Sequence, residues 1–307
     1  YPLRRILCRA TRKEFFPVSS LPRFAIASSV DTHAHVFERG LPMPDVRRYA
    51  PDADASLATY LQHLDTHGLA YGVLVQPSFL GTDNRYMLQA LRARPQRLRG
   101  VAVVDDNTGE DHLQALADAG VVGMRLNLIG LPLPDLNAPG WRRVLEQANT
   151  LGWHVELHLQ AGRLPDLLPT LLAAGCRVVV DHFGRPDPAL GVRDPGFGYL
   201  LQQAGSGRVW VKLSAPYRIW PAADCAASGR QATAQLLQAF AAERLLWGSD
   251  WPHTQHAGQA SYPAAVRWMH DWLDPLDDAA SLQAVLGRSA VELFRFPSPI
   301  QTQGDTP

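Results

Sequence analysis

Lysine is almost absent from this sequence: of 29 basic residues only Lys13 and Lys212 are not arginine. Net charge is lacking too, with 29 acidic residues leaving a formal balance of +0. A surface that binds nucleic acid needs a basic excess to meet the phosphates, so no nucleic-acid partner is expected. Cysteine is scarce. Cys8, Cys176 and Cys225 are an odd number without a CxxC pair. That excludes a disulfide framework or a cysteine zinc site and reads as reduced thiols in a cytoplasmic protein. No apolar run reaches the ~18 residues of a membrane span, so no membrane partner is expected either. There is no internal repeat.

What is there is an alternation. From residue 25 onward, eight apolar, β-rich runs are each followed by a run of helical period. The strand-like runs are Ile26–Val36, Tyr71–Pro77, Leu98–Val104, Val121–Leu128, Trp153–Leu159, Arg177–Phe183, Val209–Ser214 and Arg244–Ser249. Gly68, Gly120, Gly152 and Gly175 sit just before the next strand, where a helix end takes a left-handed residue. Eight strand–helix units predict an α/β fold, a (β/α)8 barrel over residues 25–296. An open doubly wound sheet would show a Gly-rich turn after its first strand, and here histidines stand there. Leu282–Phe296 reads as an extra C-terminal helix packed outside the barrel, and 297–307 as a loose tail. Residues 1–24 carry six basic residues against Glu14 alone. A transit peptide, a disordered extension and a mis-set start all stay open for that segment.

Polar residues collect at the C-terminal ends of the strand-like runs, where barrel active sites sit. His33 and His35 are two apart, so they share one face of the first strand. The second run ends in Gln76-Pro77-Ser78, the fourth in Arg125-Leu126-Asn127, and the fifth holds His154, Glu156 and His158 in one parity. The sixth ends in Asp181-His182 with Arg185 following, the seventh in Lys212-Leu213-Ser214 with Arg218 following, and the eighth in Ser249-Asp250 with His253 following. Structural roles are expected for several of these. His154 belongs at the far end of its strand, Glu156 pairs with an arginine, Asp181 bonds backbone amides, Lys212 is an interior counter-ion and His253 packs a loop. His63, His67, His112, His256 and His270 are expected in solvent. Four imidazoles and a carboxylate at strand ends are another matter, because each needs partners if buried. The stretch 37–55, with Pro42, Pro44 and Pro51, reads as a long loop over the site.

The stretches VDTHAHVF, QPSFLGTDN, GMRLN, WHVELH, DHFGRPD, WVKLSAPYR and LLWGSDWPHT together resemble the amidohydrolase superfamily. Within it they resemble the amidohydrolase-2 branch, above all the 2-pyrone-4,6-dicarboxylate lactonases and related lactone hydrolases. The resemblance implies a hydrolase of aromatic compound degradation that opens a carboxylate-bearing lactone. It implies Asp250, His182, His33 and His35 as catalytic residues. One divalent ion, zinc by the chemistry of the donors, would be held by His33, His35, His158 and Asp250. A metal-independent site, in which the histidines polarise the carbonyl directly, stays open beside it. Arg125, Arg185 and Arg218 would form a cationic wall for a small anionic substrate, since guanidinium forks bind carboxylates bidentately. Tyr49, Ser78 and Asn127 would add hydrogen bonds. Two departures stand out. The fourth strand offers Arg125 and no lysine, which speaks against two metals, and Ile129-Gly130-Leu131 follow it with no second arginine. The alternative is a mononuclear zinc decarboxylase of an unsaturated or aromatic acid. A homodimer stays open.

Overall fold

The computed structural model describes residues 28–45, 47–274 and 278–297. The segment 1–24 and all but the first residue of the tail 297–307 therefore lie outside the described residues. Eight strands run in chain order: β1 Val30–Ala34, β2 Tyr71–Val75, β3 Leu98–Ala102, β4 Val121–Asn127, β5 His154–His158, β6 Arg177–Val180, β7 Val209–Leu213 and β8 Leu245–Trp247. Each pairs in parallel with the next, from β1 to β8. The ring closes just past β8. His35 N donates to Trp251 O at 2.8 Å, and Asp250 N donates to His33 O at 2.8 Å. This is the expected barrel, with the first and last strand ends tied together at the site.

The helices between strands are α1 Leu57–Thr66, α2 Arg85–Ala93, α3 Glu110–Asp118, α4 Pro139–Thr150, α5 Leu164–Ala173, α6 Pro195–Gln202, α7 Cys225–Phe240 and α8 Tyr262–Leu273. Their starts follow capping chemistry where the sequence supplies it. Ser56 accepts from Thr59 N, Asp194 from Gly196 N and Ser261 from Ala264 N. Apolar stripes bury Tyr60 and Leu64 on α1, Val144 and Leu145 on α4, and Met269 and Trp272 on α8 against the barrel wall.

The chain ends in α9 Ala279–Gln283, a π-helical turn Ala284–Arg288 and α10 Ser289–Leu293. The extra segment packs outside the barrel, as expected, but breaks into these three pieces instead of one helix, and its place is under the floor. Ala290, Leu293, Phe294 and Phe296 pack with Val30, Val73, Val101, Val179, Trp210 and Leu246. The strand bottoms expose an apolar layer to water, and a helix end rich in phenylalanine removes it. His154 sits at this end, buried, its ring edge-on to Phe294 at 5.1 Å.

Above the floor lies an ionic layer. Lys212 Nζ donates to Glu156 Oε2 at 2.6 Å and lies 3.5 Å from Asp181 Oδ1. Arg125 donates through Nε and Nη2 to Asp181 Oδ2 at 3.0 and 2.7 Å. All four are buried. Charges can be held there only because each has a partner; removing one partner of such a pair costs about 3–5 kcal/mol. Lys212 is thus the counter-ion it was expected to be, with Glu156 its main partner. Asp181 pairs with a guanidinium instead of backbone amides.

Candidate active site

The third layer, at the mouth, holds the histidines. A register shift falls between Asp31 and Ala34 on β1. Asp31 turns to the helices, where Tyr262 on α8 donates to its Oδ2 at 3.0 Å. His33 and His35 face the interior together. Gly248 makes room for them: a Cβ there would stand 2.7 Å from the His33 Cβ. Several residues at the ends of β6, β7 and β8 carry φ in the left-handed region without being glycine. They are His182 at 52°, Phe183 at 55°, Arg185 at 53°, Ala215 at 47° and Asp250 at 59°. Such conformations cost about 1–3 kcal/mol each and gather where a site dictates the backbone.

Asp250 Oδ1 is the meeting point. It lies 3.6 Å from His33 Nε2, 3.6 Å from His35 Nε2 and 4.0 Å from His182 Nε2. Its other oxygen, Oδ2, accepts from the Tyr217 hydroxyl at 2.5 Å and Arg218 Nε at 2.6 Å. His253 Nδ1 is 3.0 Å from the same hydroxyl. Because Tyr217 donates to the carboxylate, its oxygen accepts from His253. His253 therefore joins this chain, where simple loop packing was expected. Arg218 and the neighbouring imidazoles hold Asp250 well below the usual carboxylate range although burial opposes them. Burial pushes His182 down to about 3 and His253 down to about 4, so both are neutral rings at neutral pH.

Hydrogen-bond partners assign the tautomers. His35 Nδ1 faces Val75 O at 2.7 Å; a carbonyl only accepts, so Nδ1 carries a proton and donates it, leaving Nε2 to face the site. His158 Nδ1 faces Arg125 Nη2 at 3.3 Å; a guanidinium only donates, so the neutral ring carries its proton on Nε2. His33 Nδ1 meets both kinds of partner, Lys212 Nζ at 3.1 Å, Asp181 Oδ1 at 3.4 Å and Glu156 Oε1 at 3.5 Å. His182 Nδ1 pairs with Ser214 Oγ at 2.8 Å.

A single divalent ion fits part of this set. His33 Nε2 and Asp250 Oδ1 are buried without a hydrogen-bond partner among the described residues. Separations of 3.6 Å exceed a hydrogen bond and approach the edge of a zinc tetrahedron, about 3.4 Å. The ligand atoms of His33, His182 and Asp250 lie within 4.8 Å of one another. His158 stands in a different group from Asp250. It joins Asp181 and His182 in a second group of three that could hold an ion, while its Nδ1 accepts from Arg125.

The cationic wall differs in detail. Arg125 is committed to Asp181 and Arg218 to Asp250. Arg185 has no carboxylate partner among the described residues, and burial beside Arg218 lowers it to about 10. A cavity of about 610 Å³ opens next to Arg185 and Arg218, bounded by Gln160, Pro186 and Ile219. The Tyr49 hydroxyl is pushed up to about 12 by burial and stays a donor. Ser78 Oγ accepts from Arg48, and Asn127 Oδ1 is buried without a partner among the described residues, next to His158 in the β4–β5 register. Tyr217 and Arg48 were not picked out from the sequence. The long loop carrying Arg48 has no period, and Tyr217 stands beside Arg218 without a motif of its own. His63 and His67, expected in solvent, are instead half-buried and stack on Tyr262 at 4.6 and 5.1 Å.

A family model described as amidohydrolase matches residues 30–296. A 2-pyrone-4,6-dicarboxylate hydrolase of Comamonas testosteroni is 35% identical over 251 residues, covering 78% of this chain and 82% of its own. Among solved structures, a candidate 2-pyrone-4,6-dicarboxylic acid hydrolase from Pseudomonas putida is 47% identical with a TM-score of 0.82. The match covers 88% of this chain and 98% of that one. A second candidate of the same kind, from Acinetobacter baumannii and with citric acid bound, is 40% identical. Its TM-score is 0.83, with 88% of this chain and 100% of that one covered. Among the described residues no helix is long and apolar enough to cross a membrane.

Proposed function

The chain belongs to the amidohydrolase family, and on that premise we propose that it hydrolyses a carboxylate-bearing lactone, with Asp250 as general base. The observation that carries this reading is the asymmetry of Asp250. Tyr217 and Arg218 fix one oxygen, while the other faces three imidazoles and has no hydrogen-bond partner among the described residues. A carboxylate so held is oriented and ionised. It can take a proton only at Oδ1, where a water between it and the histidines would give one up.

The ester carbonyl would be polarised by N–H groups aimed into the same space. His158 Nε2 is buried, unpartnered and protonated in the neutral ring, which suits it to an oxyanion contact. Asp250 takes the proton of the attacking water and returns it to the ring oxygen as the acyl–oxygen bond breaks. One divalent ion, zinc by its match to imidazole and carboxylate donors, would be held by His33, His35 and Asp250 with His182 adjacent. It would supply Lewis acidity and a more acidic water. Arg185 and Arg218, with Tyr49 and Asn127, would hold the substrate's anionic groups. The names of the relatives and the citric acid in one of them support a polycarboxylate ligand. On this reading the enzyme works in the cytoplasm, in the degradation of aromatic compounds.

Incubating the purified protein with carboxylated lactones, 2-pyrone-4,6-dicarboxylate among them, tests the reading. The expected product is heavier than the substrate by one water, with no carbon dioxide released. Carbon dioxide release without ring opening would replace lactonase by decarboxylase. Elemental analysis of the same preparation reports the metal.

A further inference from the structure

We propose that Arg48, on the loop between β1 and α1, is a specificity-determining residue that binds a second carboxylate of the substrate, across the mouth from Arg185. The inference rests on the lactonase reading and adds to it where the second anion sits.

The first support is position. Arg48 Nη2 donates to Ser78 Oγ at 3.0 Å, beyond β2, and Nη1 donates to Ile129 O at 3.4 Å, beyond β4. The side chain thus spans the rim above β2 to β4. In a ring of eight strands taken in order, that arc lies opposite β6 and β7, whose ends carry Arg185 and Arg218. Two of the five guanidinium N–H groups are used in holding the side chain, and the rest remain for a ligand.

The second support is charge. The mouth and the layer beneath it hold Arg48, Arg125, Arg185, Arg218 and Lys212 against Glu156, Asp181 and Asp250. Arg125, Arg218 and Lys212 each have a carboxylate within 2.7 Å. Arg48 and Arg185 have none among the described residues. Arg48 and Arg185 are therefore the two cations without a direct ion pair, one on each side of the mouth, although Asp187 and Asp194 line the cavity beside Arg185. Arg48 is exposed at the rim yet still feels the others: partial desolvation first, then Arg125 and Arg218, lower its pKa. The β4 end supplies no further cation of its own, since Leu128, Ile129, Gly130 and Leu131 follow Asn127. A flat ring carrying two diverging carboxylates is the ligand chemistry that satisfies both arginines.

Calorimetry with unreactive ring mimics tests this without turnover. The ligands are isophthalate, with two carboxylates, and benzoate, with one. The variants are Arg48→Met and, as a milder change, Arg48→Lys. Wild type is expected to bind isophthalate more tightly than benzoate. Arg48→Met should weaken isophthalate binding roughly 10- to 100-fold, the worth of a charge-assisted pair. Benzoate should lose much less, and Arg48→Lys should fall between, because an ammonium is a point charge without the fork. With 2-pyrone-4,6-dicarboxylate, Arg48→Met should raise KM far more than it lowers kcat. Isophthalate binding indifferent to Arg48, equal losses for both ligands, or a wild type that does not distinguish the two would each overturn the assignment while leaving lactone hydrolysis standing. If the wild type opens no lactone but isophthalate binding still depends on Arg48, the carboxylate site stands and the lactonase reading falls.

Discussion

Among single residues the histidines differ more than their shared spacing suggests. His33 and His35 were legible in the sequence because a period of two survives on a strand, even though the register against β2 shifts between Asp31 and Ala34. His158 was legible as a site residue but not in its role. Its proton position depends on Arg125, from a strand thirty-three residues earlier, and no local pattern encodes that contact. Burial of neutral rings has a consequence for stability. An unfolded chain protonates its histidines below about pH 6.5, whereas folded His182 waits until about 3 and folded His253 until about 4. The unfolded state therefore binds more protons in that window, and stability rises with pH across it. On acidification each ring removes up to about 1.4 kcal/mol per pH unit. Asp181 and Asp250, both depressed, add to the loss only below their ordinary value of 3.8. Urea midpoints should fall steadily from about pH 6.5 to about pH 4. A flat midpoint over that range would mean these rings are not buried as neutral species.

At the level of elements, the strand and helix order was readable because apolar runs and helical periods alternate cleanly and glycines mark the breaks. The destination of the last helix was not. An apolar helical face says that something must cover it, without saying whether that is the barrel wall or the barrel floor. Contact between Phe294 and His154 decides it here. The loop between β1 and α1 was read as a lid over the site, yet Arg48 within it carried no signal, because a loop without period offers no face to assign. Closure of the ring at β1 and β8 is where one methyl group matters most. In Gly248→Ala the new Cβ would meet His33 at 2.7 Å from its Cβ and 3.0 Å from its backbone nitrogen. Neither neighbour is the far end of a flexible side chain. The expected outcome is a loss of about 1–3 kcal/mol, read by urea unfolding, together with a fall in kcat as His33 shifts from Asp250. Unchanged stability and turnover would show that the strands part there without cost.

Taken whole, the molecule is three interior layers in one ring: an apolar floor covered from below by α10, a paired ionic layer, and a mouth of imidazoles around one ionised carboxylate. The ionic layer supports the mouth, since Lys212 and Asp181 both reach His33 Nδ1. A formal charge of +0 over the whole chain hid the local excess of arginine at the mouth, because composition sums over surfaces that never meet the substrate. The central claim is that Asp250 acts as base at its free oxygen while the arginines hold the ligand. Asp250→Asn keeps the shape and a bond to Arg218 but loses the proton acceptor. The most direct measurement is kcat of Asp250→Asn on 2-pyrone-4,6-dicarboxylate, with isophthalate affinity measured on the same protein. The account predicts a fall in kcat of roughly 10²–10⁴-fold with isophthalate affinity nearly retained. Turnover close to wild type would contradict it and make His182 the better candidate for the base.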